Sequence, residues 1–205
     1  MNDNLVALLQ RLPGVGPKQA KRFVYALMKS DKYYKDNIIK EIQILDANSK
    51  LCSICYRWHS YRSSDKNALC NICSDQSRDT DLVMIVEKEL DIDALERTGA
   101  YHGLYFVLGS VLPILAINPT ELIRVRELTS YLKNKIDANN LSEIIFALPV
   151  TDEGDYTVEY LESVVRQIVG ADSIKRSHLA RGLSSGLELE YVDKATFANA
   201  LKGRN

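Results

Sequence analysis

The sequence predicts an α/β fold built as a multi-domain chain, and three observations predict it. A helical stretch punctuated by Pro and Gly fills the first 50 residues, two C-x-x-C pairs follow, and short apolar runs then alternate with helical segments. Alternating strand and helix is the mark of a mostly parallel sheet covered on both faces. The expected layout is a helical domain over 1–50, a four-cysteine zinc ribbon over 51–77, a sheet domain over 78–172, and a short C-terminal strand and helix within 173–205. At 205 residues, 46% hydrophobic and 26% charged, the chain has the composition of an ordinary globular protein rather than a disordered one.

Asn4 to Leu12 reads as a short helix stopped by Pro13 and Gly14, and Pro17 suits the first turn of a second helix running to about Ser30. The connection LPGVGP makes the pair a hairpin. Gly14 and Gly16 let backbone approach another surface closely, and the amides opening the second helix carry the positive end of its dipole, a suitable seat for a phosphate. Lys18 and Arg22 lie four apart on one helical face with Lys21 beside them, so side-chain charge adds to the backbone site. Such a site holds a nucleic-acid backbone without reading bases. The plainer alternative is a Gly-Pro turn beside a solvated basic face. Leu12, Val15, Phe23, Val24 and Leu27 read as the core that shuts the hairpin. A third helix, Tyr34 to Asp46, presents Ile38, Ile42 and Leu45 at helical spacing, with Ile39 alongside.

Cys52, Cys55, Cys70 and Cys73 are the only cysteines, in CSIC and CNIC pairs with 14 residues between them. Each pair closes a tight turn around a metal, and two turns supply the four thiolates of a tetrahedral zinc site. With every position taken by sulfur, the metal, one Zn2+ per chain, is structural. A redox pair or a disulfide framework would need an oxidising compartment or a thioredoxin-like pattern, which the sequence lacks. His59 is an alternative ligand, set against its plainer reading as a partly buried residue beside Trp58 and Tyr61.

The runs 82–86, 104–108 and 143–148 read as strands, alternating with helices near Asp91 to Arg97, Pro119 to Lys135 and Asp155 to Val169. A last strand is expected near His178 to Gly182 and a last helix from Lys194 to Leu201. Glu87 closes the first strand, while Asp152, Glu153 and Asp155 lie just past the third, where functional groups of open α/β sheets gather. Carboxylates meeting there can hold magnesium and serve a phosphodiester enzyme; the alternative is helix-capping and solvated loop charge. No phosphate-loop motif occurs.

The net charge of −1 conceals a division. Residues 1–78 carry 13 Lys and Arg against 7 Asp and Glu, and residues 79–205 carry 13 against 20. A basic front favours a polyanion, and an acidic rear favours a cation or a basic partner. The absence of a long apolar run and of a leader pattern places the chain in the cytoplasm, away from membranes.

Taken in order, LPGVGPKQAKR, the four cysteines, IVEKELDIDALERTGAYHGLYFVLG, the Glu153-Gly154 pair and HLARGLSSGLELEYVDKATFANALKGR resemble the RecR family of bacterial recombination mediators over essentially the full chain. The resemblance implies a helix-hairpin-helix domain, a zinc finger, a Toprim domain and a C-terminal wrap-around segment. It further implies a homotetrameric ring that encircles or clamps DNA in recombinational repair. Such a ring works with RecO and RecF to load recombinase at single-stranded gaps, and is not itself an enzyme. Carried over by position, Lys18 and Arg22 are DNA-binding, the four cysteines bind zinc, and Glu87 and Glu153 lie where the family meets its partner. Three departures stand out. The D-x-D pair of catalytic Toprim enzymes is replaced by Asp152 and Asp155 with two residues between them, which weakens a nuclease or primase reading. Ser110, Ala116 and Asn118 stand where the family has glycines, and ALPVT stands where it reads ATNPT. A zinc-stabilised adaptor without a nucleic-acid role is the third reading.

Overall fold

The computed structural model describes residues 3–61, 69–169, 174–180, 183, 186, 188–192 and 194–202. The chain divides into two compact units: Met1–Ser49 with Ser60–Ser64, and Lys50–His59 with Asp65–Asn205.

The first unit is helical: α1 (Asp3–Leu9), α2 (Pro17–Lys29) and α3 (Lys32–Ala47). Pro17 opens α2 and Gly14 takes a positive φ of 74° in the connection, the conformation glycine adopts at least cost. Asp31 starts α3 by accepting a 2.7 Å bond from the Tyr34 amide. The buried core is small, Val6, Ala20 and Val24, with Leu5, Leu9 and Val15 packed on it. Two of the residues expected in this core are not there: Leu12 is 52% and Phe23 39% exposed. Nor does α3 bury any residue, although Tyr34, Ile38, Ile42 and Leu45 fall on one side of it. Only α1 and one face of α2 close on each other, leaving the other apolar faces without a counterpart among the described residues.

The second unit is the expected parallel sheet. Its strands are β3 (Asp79–Val86), β4 (Gly103–Val107), β5 (Glu143–Ala147) and β6 (Lys175–His178), in the order β4-β3-β5-β6 with every pairing parallel. Side chains alternate between its faces. Val83, Ile85, Phe106, Ile144 and Phe146 share one core with Leu128 and Leu132 of α6 (Val125–Asp137) and Leu161 and Val165 of α7 (Asp152–Val169). Met84, Val86, Tyr105 and Val107 face the other way, against Ile92 of α4 (Glu89–Glu96) and three of the cysteines. Two three-residue strands, β1 (Ser49–Leu51) and β2 (Trp58–Ser60), pair with each other; neither was legible in the sequence.

Two expectations need correction. The helix expected over Pro119 to Lys135 is two, α5 (Pro119–Leu122) and α6, because Ile123 is extended at φ −132° and ψ 158°. The break lowers Ile123 and Val125 into the core and turns Arg124 onto β4, its guanidinium 3.0 Å from the Val107 carbonyl. The last strand begins earlier than expected, at Lys175, drawn onto β5 by a 3.0 Å ion pair to Glu143 and by a hydrogen bond from Ser177 to the same carboxylate. Arg181 and Gly182, where that strand was expected to end, lie outside the described residues, as do 62–68 of the cysteine segment. A short 3-10 turn at Leu189–Tyr191 and α8 (Lys194–Lys202) finish the described chain. Among the described residues no helix is long and apolar enough to cross a membrane.

Candidate metal centre and nucleic-acid interface

The two C-x-x-C segments fold into matching knuckles. In each, the amide that follows the second cysteine bonds back to the carbonyl of the first: Tyr56 to Cys52 at 3.1 Å, Ser74 to Cys70 at 3.0 Å. The turns bring all four sulfurs within 4.8 Å of one another, with Cys55 and Cys70 Sγ 3.6 Å apart. Zinc–sulfur bonds of about 2.3 Å in a tetrahedron space the sulfurs roughly 3.8 Å apart, so this donor set fits the ion. Backbone amides also point inward, Cys70 N lying 3.4 Å from Cys52 Sγ and Cys73 N 3.5 Å from Cys70 Sγ, the contacts that favour thiolate over thiol. Contacts among the four sulfurs couple their protonation, so the cluster loses its protons as a group. His59 lies on β2 and is not part of this group.

Tyr56 pays for its place. It holds φ 60°, the left-handed region that costs a non-glycine residue about 1 kcal/mol. In return its ring packs on Phe106 with centroids 5.5 Å apart, and the Arg124 guanidinium sits 5.8 Å from the ring centre. The cysteines contact the opposite face of the sheet, through Tyr105 and its neighbours. The first knuckle therefore straddles the edge strand β4, and Cys55 accepts a 2.8 Å bond from the Val107 amide there. The second knuckle is tied down by Arg78, which bonds Glu96 on α4 through both terminal nitrogens. Tyr105 donates to the same carboxylate at 2.7 Å. Arg78 first, with Tyr105, holds Glu96 below the ordinary carboxylate range. The cysteine segment is thus not set apart from the sheet: the two share one buried core.

In the helical unit, Gly16 caps α2 with no side chain closing the cap, so the first amides of the helix face outward. A Cβ at Gly14 or at Gly16 would meet nothing within 4 Å. Lys18, Lys21 and Arg22 are all exposed, and no described residue pairs with them. They lie opposite Ala20 and Val24, the buried side of the helix.

The acidic residues gather less closely than the sequence reading allows. Glu87 follows β3, its carboxylate 3.5 Å from Lys88 Nζ, and lines a groove of about 350 Å³ with Leu95, Leu148, Pro149 and Leu179. Asp152, Glu153 and Asp155 occupy the first turn of α7, where their charge complements the helix dipole. Among the described residues, the four cysteines are the one group of three or more possible ligands close enough to hold a metal. Gly154 is required here, because a Cβ would lie 1.9 Å from the Pro149 carbonyl oxygen. The sequence offered no signal for Thr157, the only described polar residue fully shielded from solvent. Its hydroxyl donates to the Glu153 carbonyl at 2.6 Å and accepts from the Leu112 amide at 2.7 Å, fastening the loop after β4 to α7. Ser110, Ala116 and Asn118 in that loop all avoid positive φ, so the lost glycines leave no backbone strain. Leu115 and Ile117 stand 90% and 92% exposed on it.

Residues 2–44 match the family model described as RecR, helix-hairpin-helix, and residues 81–176 match the Toprim domain. Along nearly the whole chain it is similar to proteins named Recombination protein RecR. That of Mycobacterium sp. (strain KMS) is 34% identical, the alignment covering 98% of this chain and 95% of the relative. Those of Paenarthrobacter aurescens (strain TC1) and Mycobacterium tuberculosis (strain ATCC 25177 / H37Ra) are each 35% identical over 98% of this chain, covering 94% and 95% of the relatives. With both units matched and the order of motifs preserved end to end, the chain belongs to the RecR family.

Proposed function

We propose that this chain is a non-enzymatic, sequence-independent DNA-binding clamp of recombinational repair, which cooperates with RecO and RecF to load recombinase at single-stranded gaps. The observation that carries the reading is the open basic hairpin. Lys18, Lys21 and Arg22 project from a helix whose N-terminus is uncapped, and Gly14 and Gly16 keep the turn beside it bare. Uncapped amides with unpaired cations suit phosphate oxygens, and nothing in this set discriminates bases. A homotetrameric ring is supported by the apolar sides of α2 and α3 that no described residue covers. Four copies would turn weak phosphate contacts into avidity. The four cysteines would hold one zinc ion per chain, fixing both knuckles without taking part in a reaction. Glu87 and Glu153, with Asp152 and Asp155, would meet a basic partner from the carboxyl end of the sheet. A magnesium-dependent nuclease or primase is the weaker reading, because Glu87 and the α7 acids form no metal-holding group among the described residues.

The test is DNA binding across a salt series. Lys18→Ala with Arg22→Ala is expected to weaken binding and to flatten the dependence of log K on log salt by roughly 1.5, at unchanged melting temperature. Unchanged affinity at every salt concentration overturns the assignment.

A further inference from the structure

The basic stripe of α2 contains a residue that phosphate binding does not require. Lys18, Arg22, Tyr25 and Lys29 recur at intervals of four, three and four, so they share one side of the helix, with Lys21 at its flank. Ala20 and Val24, on the other side, are buried to 0% and 1% exposure. Tyr25 lies between the cations of the stripe and is 52% exposed. Among the described residues its ring has no aromatic or cation partner, and its hydroxyl makes no hydrogen bond. A half-exposed tyrosine amid four cations is the combination found on surfaces that hold single-stranded nucleic acid. There the cations follow the backbone and the ring stacks on an unpaired base. Duplex DNA offers phosphates to the same stripe but keeps its bases stacked on each other.

Resting on the DNA-binding reading above, we infer that Tyr25 is a base-stacking residue that makes the hairpin prefer single strands over duplex. The charge of the stripe names a polyanion as the occupant of this face. The exposed base faces of a single strand are what the ring adds to that.

The experiment compares wild type, Tyr25→Ala, Tyr25→Phe and the Lys18→Ala/Arg22→Ala double variant. Anisotropy is read on labelled oligo(dT) and on a duplex of equal length, through a salt series. Stacking on one base predicts that Tyr25→Ala loses about tenfold in oligo(dT) affinity. Its duplex affinity and its salt slope on both forms stay as in wild type, and Tyr25→Phe retains the preference. The double variant instead loses affinity for both forms and has a flatter slope. If Tyr25→Ala weakens both forms equally, or neither, while the double variant behaves as stated, the stacking role is overturned and the phosphate site stands. A wild type that retains neither form at low salt overturns the DNA reading itself. A fall in particle mass for Tyr25→Ala, measured by sedimentation, with DNA preference intact, assigns the ring to a subunit contact and also overturns the proposal.

Discussion

The two units of this chain use apolar residues in opposite ways. The sheet unit is closed: both faces of β3, β4 and β5 are covered, and Val83, Ile85, Tyr105, Phe106, Leu132 and Leu161 are wholly buried. The helical unit is open, burying Val6, Ala20 and Val24 while Leu8, Met28, Ile42 and Leu45 are each about 60% exposed. The second carries more apolar surface than its own three helices cover.

The largest expected effect would break the closed unit. Cys70→Ser removes one of four sulfurs from a cluster that shares a core with Met84, Val86 and Tyr105, so metal content falls from about one zinc per chain to none. Stability falls by about 5 kcal/mol, the range reserved for loss of a metal or a buried network. Metal analysis with calorimetry reads both; a metal-free wild type as stable as the variant removes the metal centre altogether. Next in size is Gly154→Ala. The added methyl meets the Pro149 carbonyl, so α7 must shift its first turn at a cost of about 3 kcal/mol. The urea midpoint should fall, and on the reading proposed for Glu153, which moves with that turn, partner binding should fall with it. The smallest effect on folding sharpens the contrast from the open side. Ile42→Glu places a charge on a face of α3 that the chain leaves bare, so the melting temperature of the isolated chain should change little, by under about 0.5 kcal/mol in stability. Particle mass by light scattering should nevertheless drop. Unchanged mass would mean that α3 is not an interface.

How far the sequence reached follows the same division. The metal site was legible because the chemistry demands its spacing, and the central strands because short apolar runs alternating with helical segments leave few alternatives. The hairpin was legible from Pro17 and Gly14, whose conformational limits are local. What failed was any statement about what covers what. The spacing of Ile38, Ile42 and Leu45 reveals an apolar face but not its counterpart, and here the described chain supplies none. Likewise Phe23 and Leu12 are apolar without being core. Lys175–His178 carries no strand signal; it is recruited by contacts to Glu143, 32 positions away. The union of cysteine knuckles and sheet depends on Tyr56 and Phe106 meeting across a still longer stretch of chain, with a tyrosine at positive φ where a sequence pattern would ask for glycine.

An open parallel sheet has two edges, each a row of unpaired backbone groups ready to accept a strand from another molecule. At β6 the chain relies on brevity and charge, four residues that include Lys175 and Arg176. At β4, whose five residues are all buried, neither defence is present, and the carbonyl of Cys55 occupies the Val107 amide instead. That bond takes one amide of the edge out of reach of an incoming strand. With the knuckle loosened, as by Cys70→Ser, the protein would first betray the loss by becoming sticky, with insoluble chains accumulating before any DNA binding is assayed.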